Sequence, residues 1–198
     1  MAGVPHHALQ GYLARLIESG YKVAVCDQVE NPKQAKGLVR RAVTRVVTPG
    51  VVLDDLQLDP TRNNYLASIW PGLAGYGISY ADITTGELRG TLAPSLSAAS
   101  AEIARIEPRE VLLPPGAEDQ LKQACERAGS LTTELPFEQY DPKRAPAKRL
   151  DRNVATELRR SVGGLDAYIA RTRPKGDVVL GAFRSHALEE HLLLDEAD

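Results

Sequence analysis

The sequence predicts an α/β chain in two parts: a short mixed α/β part, then a larger mixed sheet flanked by helices. Three observations lead there. Apolar patterns of period 2 and period 3.6 alternate along the chain, a polar stretch without apolar periodicity interrupts them at 54–62, and beyond it three strand patterns precede alternating helices and strands. At 198 residues, 43% hydrophobic and 25% charged, the composition is that of a folded globular chain. It excludes the fibrous and disordered classes.

Leu9, Leu13, Leu16 and Ile17 recur at helical spacing, with Gly20 as a stop, so residues 6–19 are expected to form an amphipathic helix with one buried stripe. Tyr21 to Val29 alternates as a strand, with Tyr21, Val23 and Val25 on one face and Lys22, Ala24 and Cys26 on the other. Asn31-Pro32 breaks it. A second strand, Leu38 to Thr48, puts Arg41, Val43, Arg45 and Val47 on one side and ends at Pro49-Gly50. Residues 54–62 are the expected linker, and the second part should start near Asn63. Strands follow at Tyr65–Trp70, Tyr76–Ile83 and Leu88–Leu92, then a helix at Ser95–Ile106 stopped by Pro108, and a strand at Val111–Leu113. A helix at Glu118–Ala128, a strand at Leu131–Leu135 and a helix at Val154–Thr172, weak at Gly163-Gly164, complete the order βββαβαβα. That is the order of a ribonuclease-H-like fold.

No apolar run approaches the roughly 18 residues that cross a bilayer, so no membrane partner and a cytoplasmic location are expected. Cys26 and Cys125, 99 positions apart, are expected to be small buried hydrophobes. The net charge of −2 is uneven: residues 1–53 hold seven Lys/Arg and three acids, giving +4, which leaves −6 for the rest. A basic first quarter suits a polyanion. Lys143, Arg144, Lys148, Arg149, Arg152, Arg159 and Arg160 form a second basic cluster, read here as a solvated loop and helix start.

Few residues are spaced for catalysis. The pairs His6-His7 and His186/His191 match no zinc spacing, so no metal site is expected. There is no Gly-Lys dipeptide and hence no phosphate-binding P-loop, nor a Gly-x-Ser-x-Gly nucleophile elbow. The alternative to a non-enzymatic chain is a metal-dependent ribonuclease-H-like nuclease using Asp82, with Glu107 and Asp166 as nominal companions. Nothing in their spacing makes them converge, and an Asp just before Thr84-Thr85-Gly86 also serves as a turn acceptor.

Three stretches are more specific: Met1-Ala2-Gly3-Val4-Pro5-His6-His7-Ala8, Val23-Ala24-Val25-Cys26-Asp27-Gln28-Val29-Glu30 and Arg45-Val46-Val47-Thr48-Pro49-Gly50. In this succession the chain resembles the later part of the mismatch-binding domain of the bacterial MutS family of DNA mismatch repair proteins. Asn63-Asn64-Tyr65-Leu66-Ala67 and Asp82-Ile83-Thr84-Thr85-Gly86-Glu87 resemble the opening of that family's ribonuclease-H-like connector domain, and Leu192-Leu193-Leu194-Asp195 the entry into its helical core.

The resemblance implies an internal stretch of a longer protein: the end of a mismatch-binding domain at 1–53, a linker at 54–62, a connector at 63–185 and the start of a helical core at 186–198. It implies binding of mismatched double-stranded DNA, a relay of ATP state through the connector, contact with MutL and, for the full-length family, a homodimer. Gly3, Val4, Pro5, His6 and His7 would approach the DNA backbone, with Gln28 and Arg41 as further DNA-proximal residues. ATP and Mg belong to the family's ATPase domain, so no cofactor is expected here. The family's Phe-x-Glu motif, which stacks on and hydrogen-bonds the mispaired base, is not matched: Phe137 and Phe183 lack Glu at the second following position. Two strands and one helix bury too little area to offset their chain entropy alone. Residues 1–53 are therefore expected to exchange amide protons faster than the connector.

Overall fold

The computed structural model describes residues 3–31, 37–51, 64–144, 150, 153–173 and 178–188. The expected linker at 54–62, Lys33, Lys36, Lys148, Arg149, Arg152, His191 and the stretch 192–195 lie outside them.

The first part is a 3₁₀ turn (His6–Ala8) running into helix α1 (Leu9–Glu18), then strands β1 (Val23–Gln28) and β2 (Arg41–Val47) paired antiparallel. Its core is small: Leu13, Ile17, Val25 and Val47 are buried together. Leu16, expected on the buried stripe, is 40% exposed, because the two-stranded sheet is too narrow to cover the whole apolar face of α1. The register shifts between Val25 and Cys26, so Arg45 pairs with Val25 whereas Val43 pairs with Cys26. The irregularity reverses the parity of β2. Val47 is consequently buried while Val43, expected on the same side, is 53% exposed; Cys26 is exposed as well, contrary to its expected burial.

The second part is a six-stranded sheet in the order β7-β6-β3-β4-β5-β8. Strands β3 (Tyr65–Gly72), β4 (Gly75–Asp82) and β5 (Glu87–Ala93) form the antiparallel meander; β6 (Glu110–Leu113) and β7 (Leu131–Glu134) add in parallel beside β3. Strand β8 (Arg184–Ser185), parallel to β5, was not foreseen, since two exposed polar residues carry no alternation. The meander and the two crossovers keep the expected βββαβαβα order of a ribonuclease-H-like mixed sheet.

Period-2 alternation divides the core between the sheet's two faces. Ala67, Ile69, Ile78, Val111 and Leu113 pack with helices α2 (Leu96–Ile106) and α3 (Asp119–Arg127) through Ala99, Ile103, Leu121 and Cys125. Leu66, Ala81, Leu88 and Leu112 pack with α4 (Thr156–Thr172) through Val162, Leu165, Tyr168 and Ile169. Helix α2 starts on Ser95, whose hydroxyl accepts from the Ala98 amide at 3.2 Å, and stops as expected before Pro108, with Glu107 in the left-handed region at φ 48°.

Helix α4 runs unbroken through Gly163-Gly164, where sequence propensity placed a weak point. The glycines are there for proximity: a Cβ on Gly163 would sit 2.3 Å from the Asp141 carbonyl oxygen, and one on Gly164 2.8 Å from the Tyr140 ring. Ser161 belongs to the same close approach, sharing a 2.6 Å hydrogen bond with Ser79 and donating to the Ser68 carbonyl at 2.6 Å.

Glu102, buried on α2, fastens the segment carrying β8. It receives Arg105 Nη2 and His186 Nε2 at 2.7 Å each on Oε1, and Arg105 Nε at 2.9 Å on Oε2. The His186 backbone adds its carbonyl, which accepts from Thr91 Oγ1 at 2.8 Å.

Two predictions follow from this packing. Gly163→Ala should cost about 1–3 kcal/mol by overpacking against backbone, whereas Gly11→Ala in α1, with open space around the new methyl, should gain about 0.5–1 kcal/mol; thermal unfolding of both variants reads the opposite signs. Burial works to raise the Glu102 carboxyl, but hydrogen bonds from Arg105 and His186 outweigh it and hold the pKa below its ordinary value. The stability linked to this group is thus complete above the unfolded carboxylate pKa of about 4.3 and disappears as pH falls through the lower folded value. Urea unfolding across that acid range should show a shallower pH dependence in Glu102→Gln than in the parent.

Candidate nucleic-acid interface

Of the residues the sequence nominated, Gly3, Val4, Pro5, His6 and His7 form one exposed run leading into α1. Neither the 3₁₀ turn nor α1 has a side-chain cap at its N-terminus. Main-chain amides at such a helix start suit a phosphate. Gln28 and Arg41 are brought together by the hairpin: they are Cα partners at the far end of the β1–β2 ladder, both exposed. Arg41 Nη1 reaches the Val39 carbonyl at 3.4 Å. The two acids of this end are tied within the hairpin, Asp27 Oδ2 accepting from Thr44 Oγ1 at 2.5 Å and Glu30 Oε1 accepting from the Arg40 amide at 2.5 Å.

The hairpin is seated on the large sheet through a group the sequence reading missed. Glu110, fully buried on β6, accepts Thr133 Oγ1 at 2.5 Å, Tyr168 Oη at 2.7 Å and the Lys22 ammonium at 3.2 Å on Oε1. Its Oε2 accepts Thr48 Oγ1 at 2.6 Å and the Gly50 amide at 3.2 Å. Lys22 Nζ also donates to Thr133 Oγ1 and stands 5.8 Å from the centre of the Tyr168 ring. Burial and the Glu110 charge push the Tyr168 hydroxyl above its ordinary range, keeping it a donor. The available signal was a carboxylate opening an otherwise apolar strand, Glu110-Val-Leu-Leu. A charge rarely stays in such a strand unless paired.

Asp82 is 7% exposed, and its Oδ1 accepts from the Thr84 amide at 2.8 Å and the Thr84 hydroxyl at 2.6 Å. Together with the Gly86 amide on the Asp82 carbonyl, this is a hydrogen-bonded turn. The nominal companions do not join it: among the described residues no three His, Cys, Asp or Glu side chains gather as a metal-holding group. Arg160, from the second basic cluster, lies 4.8 Å from the Trp70 ring centre and donates to the Tyr140 carbonyl at 3.4 Å.

A model of MutS domain I matches residues 1–56, and one of MutS domain II matches residues 64–173, more than half of the chain. The chain belongs to the MutS family. The DNA mismatch repair protein MutS of Thermosynechococcus vestitus is 39% identical over 98% of this chain, and that of Symbiobacterium thermophilum is 53% identical over 59% of it. These alignments take up 25% and 14% of the two MutS proteins, so the chain spans about a quarter or less of their length. Among solved structures, a Thermus thermophilus RuvC aligns at a TM-score of 0.42 and 15% identity, over 58% of this chain and 98% of that one. Among the described residues no helix is long and apolar enough to cross a membrane.

The turn geometry at Asp82 sets the outcome of its substitution. Asp82→Asn keeps an Oδ1 acceptor for Thr84 and should change stability by less than about 0.5 kcal/mol, while Asp82→Ala orphans the turn donors and should cost about 1–2 kcal/mol in urea unfolding.

Proposed function

We propose that this MutS-family chain is a non-enzymatic DNA-supporting and relay segment. Residues 1–53 act as the end of a mismatch-binding domain, 54–62 as a linker, 63–185 as the connector, and 186–198 as the start of a helical core. Mismatched double-stranded DNA is the nucleic-acid partner, MutL docks through the connector, and the full-length protein works as a cytoplasmic homodimer. ATP and Mg serve the family's motor domain; these 198 residues contain no Gly-Lys dipeptide and so no P-loop.

The observation that carries this reading is the exposed Gln28–Arg41 pair at the end of the hairpin, in a segment of charge +4 that matches MutS domain I. Arg41 offers a planar guanidinium to phosphate oxygens, and Gly3-Val4-Pro5 lets main chain come near the duplex before an uncapped helix start. Contacts of this kind position a protein without reading bases. Discrimination of a mispair rests on the low cost of bending a poorly stacked site around an inserted ring. With no Phe-x-Glu in the 198 residues, the chain by itself should hold matched and mismatched duplexes alike.

A fluorescent G·T duplex titrated with the 198-residue chain over a salt series tests this. Binding should weaken steeply with salt and differ little from a matched duplex, and Arg41→Ala should reduce the log–log salt slope by about 1. An unchanged slope removes Arg41 from the interface.

A further inference from the structure

We propose that Glu110 is the positioning residue for the nucleic-acid-facing hairpin: its carboxylate fixes β1 and β2 to the connector sheet. This rests on the reading of the hairpin as DNA-facing and adds the element that holds it. Glu110 lies on the α4 face of the sheet, where the alternation Glu110, Leu112 matches Leu66 on β3. Its two oxygens divide the work. Thr133 of β7 and Tyr168 of α4 fasten Oε1 within the connector, and Lys22, immediately before β1, joins them there. Oε2 is given to the chain leaving β2, through the Thr48 hydroxyl and the Gly50 amide.

The carboxylate therefore meets the hairpin at both of its connector-proximal ends, before β1 and after β2. The surrounding packing allows this one seating. Residues 47–51 are buried throughout, and Val51 joins Leu66, Leu112, Leu135 and Tyr168 in the α4-side core. A Cβ at Gly50 would fall 2.8 Å from both Glu110 Cβ and Leu66 Cδ1, so only glycine lets the main chain reach the carboxylate. A buried carboxylate without its donors is costly. Sliding or tilting the hairpin would strip Lys22, Thr48 and Gly50 from it together. A displacement at Gln28 and Arg41 thus arrives at β6 and α4 rather than being absorbed at the junction.

The test needs no DNA, which separates it from the DNA-binding reading. Cys26 is exposed, whereas Cys125 is fully buried and its thiol is pushed up to about 12 by burial. A thiol-reactive spin label therefore goes to Cys26 and to a second site supplied by Gln123→Cys, exposed on α3. The pair reports hairpin position against connector by double electron–electron resonance. In the otherwise unaltered chain one narrow distance distribution is expected. Thr48→Val and Lys22→Met, both outside the connector strands, should broaden it. They should also speed amide exchange of residues 23–28 and 41–47 by about tenfold while leaving residues 65–82 unchanged. Glu110→Gln should do the same and should add little on top of Lys22→Met. If Glu110→Gln unfolds the sheet, the two hairpin-side variants decide. An unaltered distribution and unaltered hairpin exchange in both would overturn the proposal, as would a loss of protection spread equally over residues 65–82.

Discussion

A carboxylate removed from water is tolerable only where donors replace its hydration, and Glu110 meets that condition with five of them drawn from β7, α4 and the chain on either side of the β1–β2 hairpin. Leaving a buried polar group without a donor costs about 1–3 kcal/mol, and more for a charged one, a large share of a domain's net stability. The neighbours are accordingly constrained. Thr133 must stand opposite α4, Tyr168 must stay protonated, and Gly50 must remain without a side chain. Glu110, together with the buried run 47–51 and Val51 in the α4-side core, ties the smaller part to the larger.

The rest of the sheet shows the same economy of polar fastening within apolar layers. On the α4 face, Ser68, Ser79 and Ser161 exchange hydrogen bonds where the helix comes too near for larger side chains, and Gly163-Gly164 admit Asp141 and Tyr140. On the opposite face the Glu102 carboxylate holds Arg105 and His186, fixing the segment that adds β8 to the sheet edge. Buried acids thus anchor the sheet on both faces. Glu110 holds what enters it and Glu102 holds what leaves it.

For function, this arrangement separates contact from support. Of the exposed residues proposed to meet DNA, Gln28 and Arg41 sit at the far end of a hairpin that contributes only Val25 and Val47 to the small core it shares with Leu13 and Ile17 of α1. Such a hairpin has little rigidity of its own, so its geometry depends on the six-stranded sheet. The buried contacts of Glu110 supply that support at the base of the hairpin.

The sequence determined the elements and their order. Short apolar strand patterns bounded by turn residues from β3 to β6, and Ser95 and Pro108 at the ends of α2, are local signals, and local signals suffice for a βββαβαβα sheet. The collinear motifs pointed to the family, whereas the pairing of Gln28 with Arg41 came from the register of the hairpin. What only tertiary structure decided were contacts between residues distant in the chain: Glu110 with Thr48 across 62 positions, His186 with Glu102 across 84 and Gly163 against Asp141. It also decided the parity of β2, where the register shift separated Val43, exposed, from Val47, buried, though both were expected on one side, and the exposure of Cys26. The physical reason is common to all of these. Periodicity reports which face of an element is apolar, but whether a glycine breaks a helix or admits a neighbour, and whether a glutamate is solvated or buried, depends on what the fold lays against it.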